Sequence, residues 1–237
     1  MPKVIAETEE VLAIDKPEGL VVHSDGRTQE PTLADWILKE FPALEFVGEP
    51  WISPQGERVL LPGIVHRLDR TTSGVMLIAK TQSAYAFLKN EFKERRIAKV
   101  YRAFVYGHME SEKGEIVAEI VRSSVPPKRW FARPCEEDEK RAAITEWKLL
   151  RSFSDPVTGE AASYIEIYPK TGRTHQIRVH FASIGNPIVA DHLYASDKEL
   201  LLGFQRPALH AYSISLNLKS TKTTFTAPIP LDFPQIA

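Results

Sequence analysis

Cysteine is almost missing: Cys135 stands alone among 237 residues. One thiol excludes an internal disulfide and any metal site built from clustered cysteines. No apolar run approaches the length of a membrane-spanning helix. Where a secretory leader would carry its apolar core, the first ten residues carry Glu7, Glu9 and Glu10, so a cytoplasmic location is expected. Net charge is scarce as well. The 30 Lys and Arg against 31 Asp and Glu leave −1, so a nucleic-acid binder of this composition must gather its cations on one face. The hydrophobic and charged shares are those of a globular protein long enough to bury a sizeable core.

The stretch around which the rest is organised is Ile64-Val65-His66-Arg67-Leu68-Asp69-Arg70-Thr71-Thr72-Ser73-Gly74. Its apolar lead-in and the following Val75–Ala79 run read as sheet-forming segments. Asp69 then sits on a loop held by a sheet, a common place for a catalytic group and an equally ordinary place for a turn aspartate. Ahead of it, residues 3–23 read as short strands broken by the turn Lys16-Pro17-Glu18-Gly19, with Lys16 projecting from its edge. Thr32 is a candidate cap for a helix over 33–41, ended by Pro42. Residues 42–62 read as an irregular loop.

Further along, Ser83–Glu94 is amphipathic, with Ala84, Tyr85, Leu88 and Phe92 on one stripe. Residues 97–107 alternate as a strand, placing Lys99, Tyr101, Ala103 and Val105 on one face. No clear element is expected over 122–141. There Lys128, Arg129 and Arg133 interleave with Trp130 and Phe131, a composition suited to RNA but followed at once by Glu136-Glu137-Asp138-Glu139. RNA contact and a solvated loop both remain open for it. Residues 143–150, 163–168 and the segments around 209–212 and 225–230 read as strands.

A Thr171-Gly172 turn opens a helix ended by Gly185 and Pro187, with Ile177, Phe181 and Ile184 on its buried side. His175 and Arg178, three apart, project together elsewhere. His175 and His180 invite a zinc reading, but residues five apart diverge on a helix and nothing completes the set. No metal is expected. The sequence also shows no dinucleotide fingerprint and no phosphate loop.

His66-Arg67-Leu68-Asp69 followed by Thr72-Ser73-Gly74 resembles the active-site signature of the RluA-type RNA pseudouridine synthases. Three more segments are similar to that family's pattern: Lys16-Pro17-x-Gly19, Lys99-x-Tyr101-x-Ala103, and Thr171-Gly172-Arg173-Thr174-His175-Gln176-Ile177-Arg178-Val179-His180. The resemblance reaches from Lys16 to Phe233. It implies an α+β fold: a single catalytic domain over 1–237, with a large, mainly antiparallel sheet and a central cleft. A separate N-terminal RNA-binding domain is not expected.

By the same resemblance, uridine in structured RNA is isomerised to pseudouridine without a cofactor. Asp69 is nucleophile or base, Arg178 its paired guanidinium and Tyr101 the active-site tyrosine. Lys16, His66, Arg67, Arg70, Arg173 and His175 become substrate or RNA contacts. The expected partner is transfer or ribosomal RNA and the expected state a monomer. The rivals are a catalytically silent RNA-binding or RNA-folding module on this scaffold and, more weakly, a glycoside hydrolase. The latter needs a second carboxyl about 5–9 Å away, which the signature loops do not supply.

Overall fold

Val11-Leu12-Ala13-Ile14 is apolar at every position, and all four side chains are fully buried, as a strand covered on both faces requires. The computed structural model describes residues 1–24, 30–53, 56, 58–124, 129–135 and 142–234. Its elements, in chain order, are β1 (Lys3–Glu7), β2 (Val11–Lys16), α1 (Leu33–Glu40), β3 (Trp51–Ile52), β4 (Arg58–Val59), β5 (Ser73–Ala79), α2 (Gln82–Lys93), β6 (Ala98–Tyr106), β7 (Lys113–Arg122), β8 (Trp130–Arg133), β9 (Ala142–Ser154), β10 (Ala161–Pro169), α3 (Gln176–Ser183), β11 (Leu209–Leu218) and β12 (Thr221–Thr226). Many strands and few helices make this the expected α+β protein, and the strand pairs whose registers are described run antiparallel.

The chain packs as two compact units, Met1–Ala98 with Ala211–Pro228, and Lys99–His210 with Ile229–Ala237. In the first, strands follow the order β1-β2-β5-β11, and β12 pairs β11. Leu88 and Tyr85 of α2 pack on Val75, Leu77, Ile214 and Leu216, so the expected stripe is the buried one. Gly74 is forced. Its φ is +120° and a Cβ would lie 2.2 Å from the Ala211 carbonyl oxygen, closer than two non-bonded atoms can approach.

In the second unit the order is β6-β10-β9-β7-β8. Ile165, Ile167, Trp147 and Ala103 pack with Ile177 and Phe181 of α3. Phe104, on the other face of β6, is buried too, stacked on Tyr164 and flanked by Phe204 and Phe233. Among the described residues, no helix is long and apolar enough to cross a membrane.

Thr32 caps α1 as expected, in a reciprocal pair with Asp35. Four local expectations are corrected. Residues 20–23 are not a strand, because the carbonyls of Val21 and Val22 take the N–H groups of Leu33 and Ala34 at the start of α1. Residues 42–62 include a one-turn helix at Pro42–Leu44 and the β3–β4 hairpin. Within 122–141, Trp130–Arg133 is a strand on β7 and Arg133 pairs with Glu119 at 2.7 Å; residues 125–128 and 136–141 lie outside the described residues. Ile184 is 42% exposed, since it caps α3 rather than continuing its buried side.

Candidate active site

In the first unit the His66–Gly74 loop is tied down at both ends. The His66 ring stacks on Phe92 with centroids 4.4 Å apart, and its Nε2 accepts the Leu77 N–H at 2.9 Å. An accepting Nε2 puts the proton of the neutral ring on Nδ1. One ring face and Nε2 thus serve the entry of the loop. Arg67 is exposed, and Leu68 next to it is buried.

Lys16 corrects the expectation that it projects from the turn. Far from projecting into solvent, it is fully buried. Its Nζ donates to the carbonyls of Pro17 at 2.7 Å, Leu20 at 2.9 Å and Arg70 at 3.3 Å. Carbonyl oxygens replace the water that a buried ammonium loses, and a phosphate has no access to it. The reason lies in register. Lys16 pairs with Gly74 across β2 and β5, so the Lys16–Gly19 turn emerges beside the loop that precedes Gly74. Two more bonds close the seam: Gly19 N–H to the Arg70 carbonyl at 2.8 Å, and Arg70 Nε to the Gly19 carbonyl at 3.1 Å.

Asp69 sits half-buried between Leu68 and Arg70, its carbonyl taking the Thr72 N–H at 3.1 Å. The exposed Arg70 also pairs with Glu30 at 2.8 Å. Thus His66, Asp69 and Arg70 lie on one short loop, which Lys16, His66 and Arg70 fasten.

The other expected residues belong to the second unit. Tyr101 is opposite Ile167 in β6–β10 and packs half-buried against the core. Arg173 is exposed. Its backbone N–H donates to Gln176 Oε1 at 3.0 Å, and Thr171 Oγ1 donates to the same oxygen at 2.7 Å. Gln176 Nε2 reaches the Ile144 carbonyl at 3.0 Å and Thr145 Oγ1 at 2.9 Å. That buried amide staples the Thr171–Arg173 turn to β9.

His175, at the start of α3, adopts a left-handed backbone, φ 54°. It and Arg178 do converge, on Tyr194: His175 Nδ1 lies 2.9 Å from the Tyr194 hydroxyl, and the Arg178 guanidinium lies over the Tyr194 ring at 5.1 Å. The sequence reading missed Asp191. This fully buried carboxylate accepts Arg178 Nε at 2.6 Å and Nη2 at 2.8 Å. Its signal was a charged residue closing the apolar run Pro187–Ala190, where burial requires a partner.

His180 sits fully buried in α3, with neither ring nitrogen hydrogen-bonded among the described residues. Desolvation pushes its pKa down to about 4. Among the described residues no three His, Cys, Asp or Glu side chains are grouped to hold a metal ion.

The family described as RNA pseudouridylate synthase matches residues 10–183, a span holding all four motif segments. The chain belongs to that family. Among relatives, an uncharacterized RNA pseudouridine synthase of Synechocystis is 33% identical over 98% of this chain and 67% of its own length. The ribosomal large subunit pseudouridine synthase D of Zymomonas mobilis is 34% identical over 97% and 70%. The chain spans only 55% of a further RNA pseudouridine synthase, from Aquifex aeolicus. Human RNA pseudouridylate synthase domain containing 1 shares the fold, with TM-score 0.72 at 24% identity, over 96% of this chain and 83% of that one.

Proposed function

We propose that this chain isomerises a uridine in ribosomal or transfer RNA to pseudouridine, as a cytoplasmic monomer and without a cofactor. The C1′–N1 bond breaks, the uracil turns, and C1′–C5 forms; C5 gives up its proton and N1 gains one, so no co-reactant enters. The observation that carries the reading is the Asp69 loop. A family signature lies on a half-buried carboxylate whose backbone neighbours are stitched to a second family motif more than 50 residues earlier.

Asp69 serves as nucleophile or base. Arg178 holds its charge, because a guanidinium stays protonated at any working pH. Tyr101 supplies a ring for the uracil and a phenol for the proton. The target base must leave its stack, at a cost of a few kcal/mol. Arg67 can fill the space it vacates, while Arg70 and Arg173 hold phosphates. The choice of ribosomal RNA is supported by relatives named ribosomal large subunit pseudouridine synthase D, and that of transfer RNA by the resemblance of the motifs alone.

Incubation of the purified protein with uridine-labelled RNA tests this, with pseudouridine expected. Free base would indicate hydrolysis, and neither product a silent binding module. Asp69→Asn is expected to abolish the reaction while RNA affinity holds or rises slightly. A mutant rate above about a tenth of the native rate, a barrier change under about 1.4 kcal/mol, would remove Asp69 from its role.

A further inference from the structure

Arg95 stands where a helix ordinarily ends in glycine. Helix α2 closes in a full Schellman turn: the Arg96 N–H donates to the Glu91 carbonyl at 3.0 Å and the Arg95 N–H to the Phe92 carbonyl at 3.2 Å. That closure requires a left-handed residue just past the cap, and Arg95 supplies it at φ 58°. A Cβ makes this conformation unfavourable, which is why glycine dominates the position. Among the described residues of the first unit, the other left-handed non-glycine residues are Lys219 and Ser220. Those two join the paired ends of β11 and β12, in a tight turn that demands the conformation at both positions. No such demand explains an arginine at 95, since glycine closes a helix at least as well.

Local electrostatics does not explain it either. The helix dipole favours a cation at this end, but Lys93 in the last turn provides one without the strain. The ion pair belongs to the next residue: Arg96 Nε and Nη2 lie 2.9 and 2.6 Å from Glu91 Oε1. Arg95 is exposed, and among the described residues it has no acidic partner. Strain kept where the fold gains nothing from it points to function.

The end of α2 is also joined to the Asp69 loop. Phe92, three residues before Arg95, carries the ring that stacks on His66, and His66 precedes Asp69 by three. Arg95 is therefore held on the surface close to the entry of that loop. An RNA that brings a base to Asp69 lays its backbone over this surrounding surface. An unpaired guanidinium is the group suited to grip its phosphates there.

We propose that Arg95 is a phosphate contact for the RNA substrate, kept in a strained cap position because its side chain serves binding and not the helix. The proposal rests on the RNA-modifying reading given above.

Arg95→Gly separates the two uses of the position, because it relieves the cap and removes the guanidinium. Its urea midpoint is expected at or above the native value. Binding to end-labelled, unfractionated transfer RNA should weaken roughly five- to eightfold at about 0.1 M salt. The log–log salt slope should fall by about 0.7–0.9, the value of one phosphate contact. Arg95→Lys keeps the charge and should retain most of the slope. Arg96→Gln is the control for net charge: it strands the Glu91 carboxylate, lowers the urea midpoint and leaves the slope at its native value.

A native slope in Arg95→Gly, or an equal fall in Arg96→Gln, would overturn the proposal. So would a lowered urea midpoint in Arg95→Gly, since the arginine would then be serving the helix. Arg95→Asn, which also accepts the left-handed turn, should reproduce the loss of binding. If the native protein forms no pseudouridine while Arg95→Gly still flattens the slope, the RNA contact stands and the isomerase reading has failed. Pseudouridine formation with an unmoved slope removes Arg95 alone.

Discussion

Lys16 shows how residue type misleads when burial is unknown. A lysine in a Pro-Gly turn reads as a solvated cation, yet this one replaces water with three carbonyls. Lys16→Met should therefore destabilise the fold by about 1.5–3 kcal/mol, the scale of charged hydrogen bonds, in urea unfolding. It should also slow pseudouridine formation, because the Arg70 carbonyl loses a tie. The salt dependence of RNA binding should not change; a flatter slope would restore Lys16 as a phosphate contact. The segments that hold Asp69, Tyr101 and Arg178 were legible as family motifs because they are long. Asp191 and Gln176 were not, since their meaning lies in partners 13 and 31 residues away that no local pattern announces.

At the scale of elements, β5 and α3 carry the tightest constraints. Gly74→Ala must place a methyl group onto the Ala211 carbonyl at a φ of +120°. A loss of about 4 kcal/mol or more, the range reserved for such clashes, is expected in chemical denaturation. Helix α3 carries a neutral buried histidine whose pKa is depressed to about 4, against about 6.5 in the unfolded chain. Between those values the unfolded chain binds a proton that the folded chain refuses. Stability from His180 is complete above about pH 6.5 and is lost progressively as pH falls toward 4. His180→Leu should flatten the thermal-unfolding profile across that window. It should cost little at neutral pH, because two nitrogens without hydrogen bonds disappear with the ring. An unchanged acid limb would mean that His180 does not refuse the proton. The helices and most strands were visible as hydrophobic periodicity. The β8 strand escaped because four residues of mixed character acquire their meaning only when paired to β7.

For the whole molecule, many of the cations are held in ion pairs. Arg70, Arg96, Arg133, Lys80, Lys89 and Lys170 each face an acidic side chain. Arg67 and Arg173 are exposed, and among the described residues neither has an acidic partner. RNA affinity should fall steeply with salt. Arg173→Ala should reduce the log–log slope by about 0.7–0.9, the value of one phosphate contact. Arg70→Ala should reduce it less, because Glu30 competes for the same charge. A slope indifferent to Arg173→Ala would place the phosphate-binding face elsewhere.

The pairing of Lys16 with Gly74 has a further consequence for the length of the chain between them. Both ends of that span are clamped in neighbouring strands, so the Asp69 loop is located by its anchors rather than by how much polypeptide separates them. Doubling a flexible connection costs only about 0.6 kcal/mol of closure entropy. Extra residues grafted between β3 and β4 would leave Asp69 where it is. The span between β2 and β5 thus tolerates added length at a small entropic cost, while the anchors on either side keep their place.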